Sequence, residues 1–177
     1  MSDSRRCPVP AEPADPADPA DPADAAGPTD DDDAGALPFF VYGTLRTGGH
    51  NHAFHLAGRC ADVRPAVLPG AALHDGPGFP FAVPDATPGR QVVGELITVR
   101  PGAYGPALAA LDLLEDCRAD GTGEYVRQRL TVRTAGGRTH EAWVYLAGPA
   151  VAARLRTHPA LIPSGDWMHR RRGPDGP

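Results

Sequence analysis

The segment Tyr42-Gly43-Thr44-Leu45-Arg46 directly follows the aromatic and β-branched run Phe39-Phe40-Val41. A glycine-bearing turn at the end of a strand presents successive backbone N–H groups, and such a nest can hold a carboxylate or a developing oxyanion. The same pattern also serves as an ordinary turn. Glu115 closes Leu111-Asp112-Leu113-Leu114-Glu115, at the border of an apolar helical face. A carboxyl group there loses part of its hydration, which raises its pKa and suits it to proton transfer. The alternative is a surface acid in the last turn, or one paired with an arginine such as Arg127. His50-Asn51-His52-Ala53-Phe54-His55 places three histidines in six residues. His52 and His55 share a face only if a helix forms, and no Cys or acidic residue adjoins them. Zinc needs three or four converging ligands, so no metal is expected and these histidines are assigned a solvated or capping role.

The composition narrows the remaining chemistry. The 177 residues carry 17 basic side chains, all of them Arg, against 22 acidic ones, for a formal charge of −5. Without lysine there is no Schiff base, no pyridoxal-phosphate anchor and no P-loop lysine. No serine is flanked as in a nucleophile elbow, and Cys117 has no evident histidine partner. No cofactor is expected. Cys7, Cys60 and Cys117 form no CxxC pair, which fits a reducing compartment, and no apolar run reaches the length of a membrane span. The expected location is cytoplasmic, with neither a membrane nor a nucleic acid as partner.

The charge is unevenly spread. Residues 1–36 hold an Ala-Asp-Pro repeat and the run Asp30 to Asp33, with ten acidic and two basic residues and a net charge of −8. Such a segment has too little apolar surface to offset the entropy of ordering and is expected to be a disordered tail. Residues 169–177, with three arginines and one aspartate, read as a flexible basic tail. Between them, 37–168 carries a net charge of only +1 and forms one domain of ordinary size.

Within this domain, Phe39 to Tyr42 reads as a strand and His50 to Ala57 as a short helix. Ala61 to Leu73, interrupted by two prolines, reads as short irregular strands, and Pro77 to Gly89 as loop. Gln91 to Val99 reads as a strand, with Val93, Glu95, Ile97 and Val99 on one face. Pro106 to Glu115 is the best helix, with Pro106 suited to its first position and Leu108, Leu111, Leu114 and Glu115 along one side. Tyr125 to Thr134 alternates as a half-buried strand. It is joined through Ala135-Gly136-Gly137 to a returning strand from Glu141 to Leu146. Strands and hairpins outnumber helices, so the class is α+β with a mixed or antiparallel sheet or barrel.

Four blocks in order, Phe40 to Arg46, Leu111 to Glu115, Tyr125-Val126-Arg127 and Ile162-Pro163-Ser164-Gly165-Asp166-Trp167, resemble the gamma-glutamylcyclotransferase-like superfamily. The nearest branch is that of the avirulence-induced-gene-like proteins and gamma-glutamylamine cyclotransferases, which carry Tyr-Gly-Thr-Leu in the first block. The resemblance covers residues 39–168. It implies a small mixed β-barrel with flanking helices and a cavity floored by Tyr42, Gly43, Thr44 and Leu45. It maps the single acid of the family onto Glu115. The implied reaction is attack of the α-amine of an L-γ-glutamyl amine or amino acid on its own γ-carbonyl, giving 5-oxoproline and the free amine. Both reacting groups belong to one molecule, so the protein need supply only a folded substrate pose, one carboxyl and a few N–H donors.

Tyr125 and Tyr145 would border the cavity or pack the sheet, and Asp112 would cap the helix or pair with Arg127. The family often has glycine directly after the acid, where this chain has Asp116. That second carboxylate would either raise the pKa of Glu115 or point to solvent. Two other readings remain at this stage: a hydrolase or transferase of γ-glutamyl amides, and a non-catalytic module binding a small acidic ligand on the same fold. Sequence does not give the oligomeric state. Removing residues 1–36 is expected to leave 5-oxoproline release unchanged in a side-by-side assay with the full chain; a large loss would make the tail part of the machinery.

Overall fold

The computed structural model describes residues 36–170. Apart from Ala36, His169 and Arg170, the two expected tails lie outside the described residues. Seven strands and three helices follow in the order β1 (Phe39–Val41), α1 (His50–His55), β2 (Cys60–Pro69), β3 (Ala71–His74), β4 (Phe81–Pro84), β5 (Gln91–Val99), α2 (Tyr104–Leu114), β6 (Tyr125–Thr134), β7 (Thr139–Ala147) and α3 (Pro149–Thr157). Five strands close a barrel in the order β1-β5-β2-β6-β7, and β3 and β4 form a separate two-stranded sheet. All the barrel pairings are antiparallel except β1 with β7, which is parallel and closes the ring through Phe39↔Trp143 and Phe40↔Val144.

Alternation along the strands separates two apolar cores. One draws on all five barrel strands through Phe40, Leu68, Leu96, Val132 and Val144, and is extended by Leu73, Ala82, Ile162 and Trp167. The other takes the opposite faces, with Phe39, Val41, Ile97 and Tyr145, and is covered by Leu56 at the end of α1, Leu111 of α2 and Leu155 of α3. β1 thus feeds both cores from three consecutive residues, each at most 3% exposed.

The α+β barrel agrees with the sequence reading, but several boundaries differ. Ala61 to Leu73 is not a set of short strands: β2 runs over ten residues, with one register shift against β5 between Cys60 and Asp62, and turns at Gly70 into β3. Its Pro65 is tolerated because the β2–β6 pairing covers only Ala66 and Val67; the Pro65 carbonyl accepts the Ala135 N–H at 3.2 Å, and the missing N–H falls just beyond that pairing. The Pro77–Gly89 stretch contains β4, a strand of four residues ended by Pro84. α2 begins two residues before Pro106, which still lies in the first turn, where a backbone N–H has no helical acceptor. Glu115 caps that helix rather than belonging to it. α3 was not anticipated from the sequence. Its signal is Pro149, at the start of the helix after Gly148, ahead of an alanine-rich run.

Among the described residues, Cys60 and Cys117 are free thiols, and no helix is long and apolar enough to cross a membrane.

The β1–β5 contact is close at Gly94. A Cβ on Gly94 would collide with the carbonyl oxygen of Val41 and approach the Phe40 ring to 2.7 Å. Gly94→Ala is therefore expected to destabilise the fold by about 1–3 kcal/mol through overpacking, read as a lower urea midpoint at unchanged slope. An unchanged midpoint would mean that β1 and β5 can separate at no cost.

Candidate active site

The chain leaves β1 at Tyr42 and turns at once. The Arg46 N–H donates to the Gly43 carbonyl at 3.1 Å, closing a tight turn over Gly43 to Arg46. Tyr42 is held from both sides: its hydroxyl donates to the Tyr145 carbonyl at 2.6 Å and accepts the Ala82 N–H at 3.3 Å. Gly43 has no room for a side chain, since a Cβ would lie 2.8 Å from two ring carbons of Pro80. The turn and Pro80 are thereby pressed together as adjoining walls of a cavity.

That cavity has a volume of about 30 Å³. Phe40 to Leu45 form one side and Phe79 with Pro80 another; Glu115, Tyr125 and Tyr145 complete it. Every site residue expected from the sequence lines this one space. That volume is the space of about one water molecule, so admitting a substrate requires the walls to part. Phe79 and Pro80 were missed, because their stretch reads as plain loop until it is folded against the turn.

The two tyrosines are positioned by separate anchors. The Tyr125 hydroxyl donates to the Pro80 carbonyl at 2.7 Å, and its ring stacks on Phe81 at 4.9 Å between centroids. The Tyr145 hydroxyl donates to Asp112 Oδ1 at 2.7 Å. Asp112 is itself gripped by Arg127 Nη1, at 2.8 Å from Oδ1 and 2.6 Å from Oδ2. Arg127 therefore serves Asp112 and leaves Glu115 without that counter-ion. Burial pushes the phenols of Tyr42, Tyr125 and Tyr145 well above their ordinary range, and the charge of Glu115 adds to the rise for Tyr42 and Tyr125.

Glu115 sits at the C-terminal end of α2, with its N–H donating to the Leu111 carbonyl at 3.0 Å. Its carboxyl is shielded by the cavity walls. Burial first, and then the negative charge of Glu124, push its pKa from 4.5 up to about 7. The helix end contributes in the same direction, because the partial negative charge there disfavours a carboxylate.

The neighbouring acid that acts on Glu115 is thus Glu124 rather than Asp116. Asp116 takes a left-handed conformation, φ 45°, and is the one non-glycine residue with positive φ among the described residues. Its carboxylate is occupied elsewhere, accepting Arg118 Nε at 2.9 Å and the Glu124 N–H at 3.3 Å. Asp is among the residues that tolerate this conformation, and its side chain fastens the loop that carries Glu124.

The three histidines do not converge on a metal geometry; among the described residues no group of three His, Cys, Asp or Glu side chains does. The segment instead supports the turn. Asn51 Nδ2 donates to Thr44 Oγ1 at 3.0 Å, and His52 Nδ1 lies 3.0 Å from the Leu45 carbonyl.

Comparison with known proteins agrees with this architecture. The model of the family described as "Gamma-glutamyl cyclotransferase, AIG2-like" matches residues 39–169. A Vibrio cholerae protein bearing the provisional name gamma-glutamylcyclotransferase is 36% identical over 136 residues, which cover 74% of this chain and 95% of that protein. Two solved structures share the fold. YkqA of Bacillus subtilis superposes with a TM-score of 0.52 at 24% identity over 74% of this chain, although this chain spans only 39% of that protein. An AIG2-like protein of Mus musculus superposes with a TM-score of 0.51 at 23% identity over 80% of this chain and 90% of that one. The barrel, the order of its blocks and the extent of the match mean that the chain belongs to the AIG2-like gamma-glutamyl cyclotransferase family.

Proposed function

We propose that the protein is a cofactor-independent cyclotransferase that converts an L-γ-glutamyl amine or amino acid into 5-oxoproline and the free amine. The observation that carries this reading is a single shielded carboxyl with a pKa near 7, Glu115, lining the same small cavity as the Gly43–Leu45 turn. A carboxyl of that pKa can both accept and return a proton near neutral pH. Membership of the family supports the same assignment.

The reaction then runs as follows. Once the cavity walls part to admit it, the substrate is folded so that its α-amine faces its own γ-carbonyl, an arrangement that removes most of the entropic cost of cyclisation. Glu115 takes a proton from the α-ammonium group. The freed amine attacks the γ-carbonyl carbon, a C–N bond closes the five-membered ring, and the carbonyl oxygen gains negative charge. N–H groups of Gly43, Thr44 and Leu45 face either that oxygen or the α-carboxylate of the substrate. Glu115 passes the proton to the departing nitrogen as the old C–N bond breaks. The attacking nitrogen, still carrying two protons, gives up the second one, which leaves on the released amine, so 5-oxoproline and an ammonium ion depart and Glu115 returns to its carboxylate form. Tyr42, Tyr125 and Tyr145 shape the walls; their raised pKa values keep them as neutral hydroxyls.

The decisive assay gives the protein a panel of γ-glutamyl amines and measures 5-oxoproline. Release is expected to fall by at least about a hundredfold in Glu115→Gln, the usual share of a general acid–base group. Release of glutamate instead would indicate a hydrolase. Absence of turnover on the whole panel, with ligand binding retained in Glu115→Gln, would indicate a binding module.

The raised pKa also sets a stability signature. A carboxyl whose folded pKa exceeds its unfolded value stabilises the fold below the unfolded pKa, and that contribution is lost as pH rises through the folded pKa. The relevant window is about 4.5 to 7. Glu115→Gln is therefore expected to be more stable than the parent protein at pH 8, by on the order of 2–3 kcal/mol, and the gap is expected to close at pH 4. Equal stability at both pH values would refute the shifted carboxyl. In the parent protein, kcat/KM is expected to rise with pH through a midpoint near 7.

A further inference from the structure

Arg46 follows the donor turn directly, and its side chain is caught between two carboxylates from distant parts of the chain. Its Nη1 donates to Asp166 Oδ1 at 2.7 Å, and its Nε lies 3.8 Å from Glu95 Oε1, buried and without a hydrogen-bond partner of its own. The three side chains are only 13–15% exposed. Glu95 Oε2 accepts both the N–H and the hydroxyl of Thr47, at 2.8 and 2.9 Å. Asp166 Oδ1 also accepts the Met168 N–H at 3.0 Å, and Oδ2 lies 2.7 Å from His169 Nδ1.

The turn that carries Asp166 is itself fastened to the barrel. The Val93 N–H of β5 donates to the Gly165 carbonyl at 2.8 Å. A Cβ on Gly165 would collide with the Gln91 carbonyl, so only glycine permits this approach. Ile162 and Trp167, on either side, are anchored in the core at 5% and 4% exposure. The fourth sequence block, Ile162 to Trp167, thus ends against the residue that follows the donor turn.

A largely desolvated cluster of one guanidinium and two carboxylates is a poor way to gain stability, because apolar packing of the same volume does as well or better. Such a cluster does impose a single geometry. Pro80, Asn51 and His52 support the turn from Gly43 to Leu45, and the cluster fixes its last residue, Arg46; donors aimed at a reacting group must be held within about 0.5 Å.

We propose that Asp166 and Arg46 are positioning residues that lock the Gly43–Leu45 donors onto the cavity, with Glu95 holding the next residue in place. This inference rests on the cyclotransferase reading above, in which those donors act on the substrate. Asp166 and Arg46 touch no reacting atom in it and act through the backbone of the turn.

The test compares the parent full-length chain with Asp166→Ala and Asp166→Asn, the second serving if the first does not fold. On a γ-glutamyl amine turned over by the parent, kcat/KM is expected to fall at least about tenfold, with the midpoint of its acid limb unchanged. Arg46→Lys, which retains the charge, is expected to lose less activity than Arg46→Ala. By hydrogen exchange, the amide of Arg46, which closes the turn, and that of Gly49, which donates to the Arg46 carbonyl, are expected to exchange at least about tenfold faster in the Asp166 variants, while those of the β6–β7 hairpin keep the parent rate. Unchanged exchange at Arg46 and Gly49, or acceleration spread evenly over the hairpin, would overturn the proposal. If the parent released no 5-oxoproline from any substrate, the exchange result would still decide the positioning role, and the cyclotransferase reading would fail separately.

Discussion

Strand β1 has three residues, and nearly everything else in the domain is arranged by what those residues require. It is paired on one side with β5 and on the other with β7, so its backbone is satisfied in the middle of the sheet. Its side chains point alternately into two cores, and none is more than 3% exposed. So short a segment has no stability of its own; it is held because closing the ring removes both sheet edges at once. The parallel pairing with β7 has a direct result for the site. It brings the exit of β1, where the chain bends at Gly43, alongside Tyr145, whose carbonyl takes the Tyr42 hydroxyl. The cavity is the space left where a strand must stop and its neighbour continues.

Electrostatics in this molecule works at short range. The domain is close to neutral, and attraction of an anionic ligand by a broad positive field is not what its charge distribution provides. The arginines nearest the cavity are already committed: Arg127 to Asp112, and Arg46 to Asp166 and Glu95. That commitment explains why Glu115 faces a second negative group without a compensating cation. An arginine free to approach would return the carboxyl to its ordinary range. Diverting Arg127 to Asp112 therefore leaves the effect of burial on the acid unopposed.

The fold and the cavity residues were legible in the sequence to different degrees, for physical reasons. β5 and β6 alternate cleanly, and the Gly136-Gly137 turn between β6 and β7 carries its own chemistry, so these elements could be placed almost to the residue. The Tyr42–Leu45 turn and Glu115 stood out because their residue types suit a nest and a shielded acid. Proline misled in β2, where its missing N–H matters only if a partner strand waits on that side, a property of the assembled sheet. The β4 strand was hidden by flanking Pro and Gly for the same reason. Glu124 had no local signal at all, since its effect on Glu115 depends on a loop folded back through Asp116. The helical face of α2 predicted Glu115 at a border, but that it would cap the helix depended on the chain turning left-handed one residue later.

The site joins the two ends of the domain. Residues 42–46 form one wall, and the fixture that braces them lies at 162–167, about 120 positions further along the chain. During synthesis a ribosome delivers the turn first, long before either β7 or the Ile162–Trp167 segment has been made. A nascent chain that has not yet reached β7 and Ile162–Trp167 would therefore hold Tyr42 to Leu45 with neither the ring closure nor the brace. Contacts this distant in sequence form late and slowly. The cavity is consequently completed only after Ile162 to Trp167 have emerged, and a fragment that stops before them has an unbraced wall.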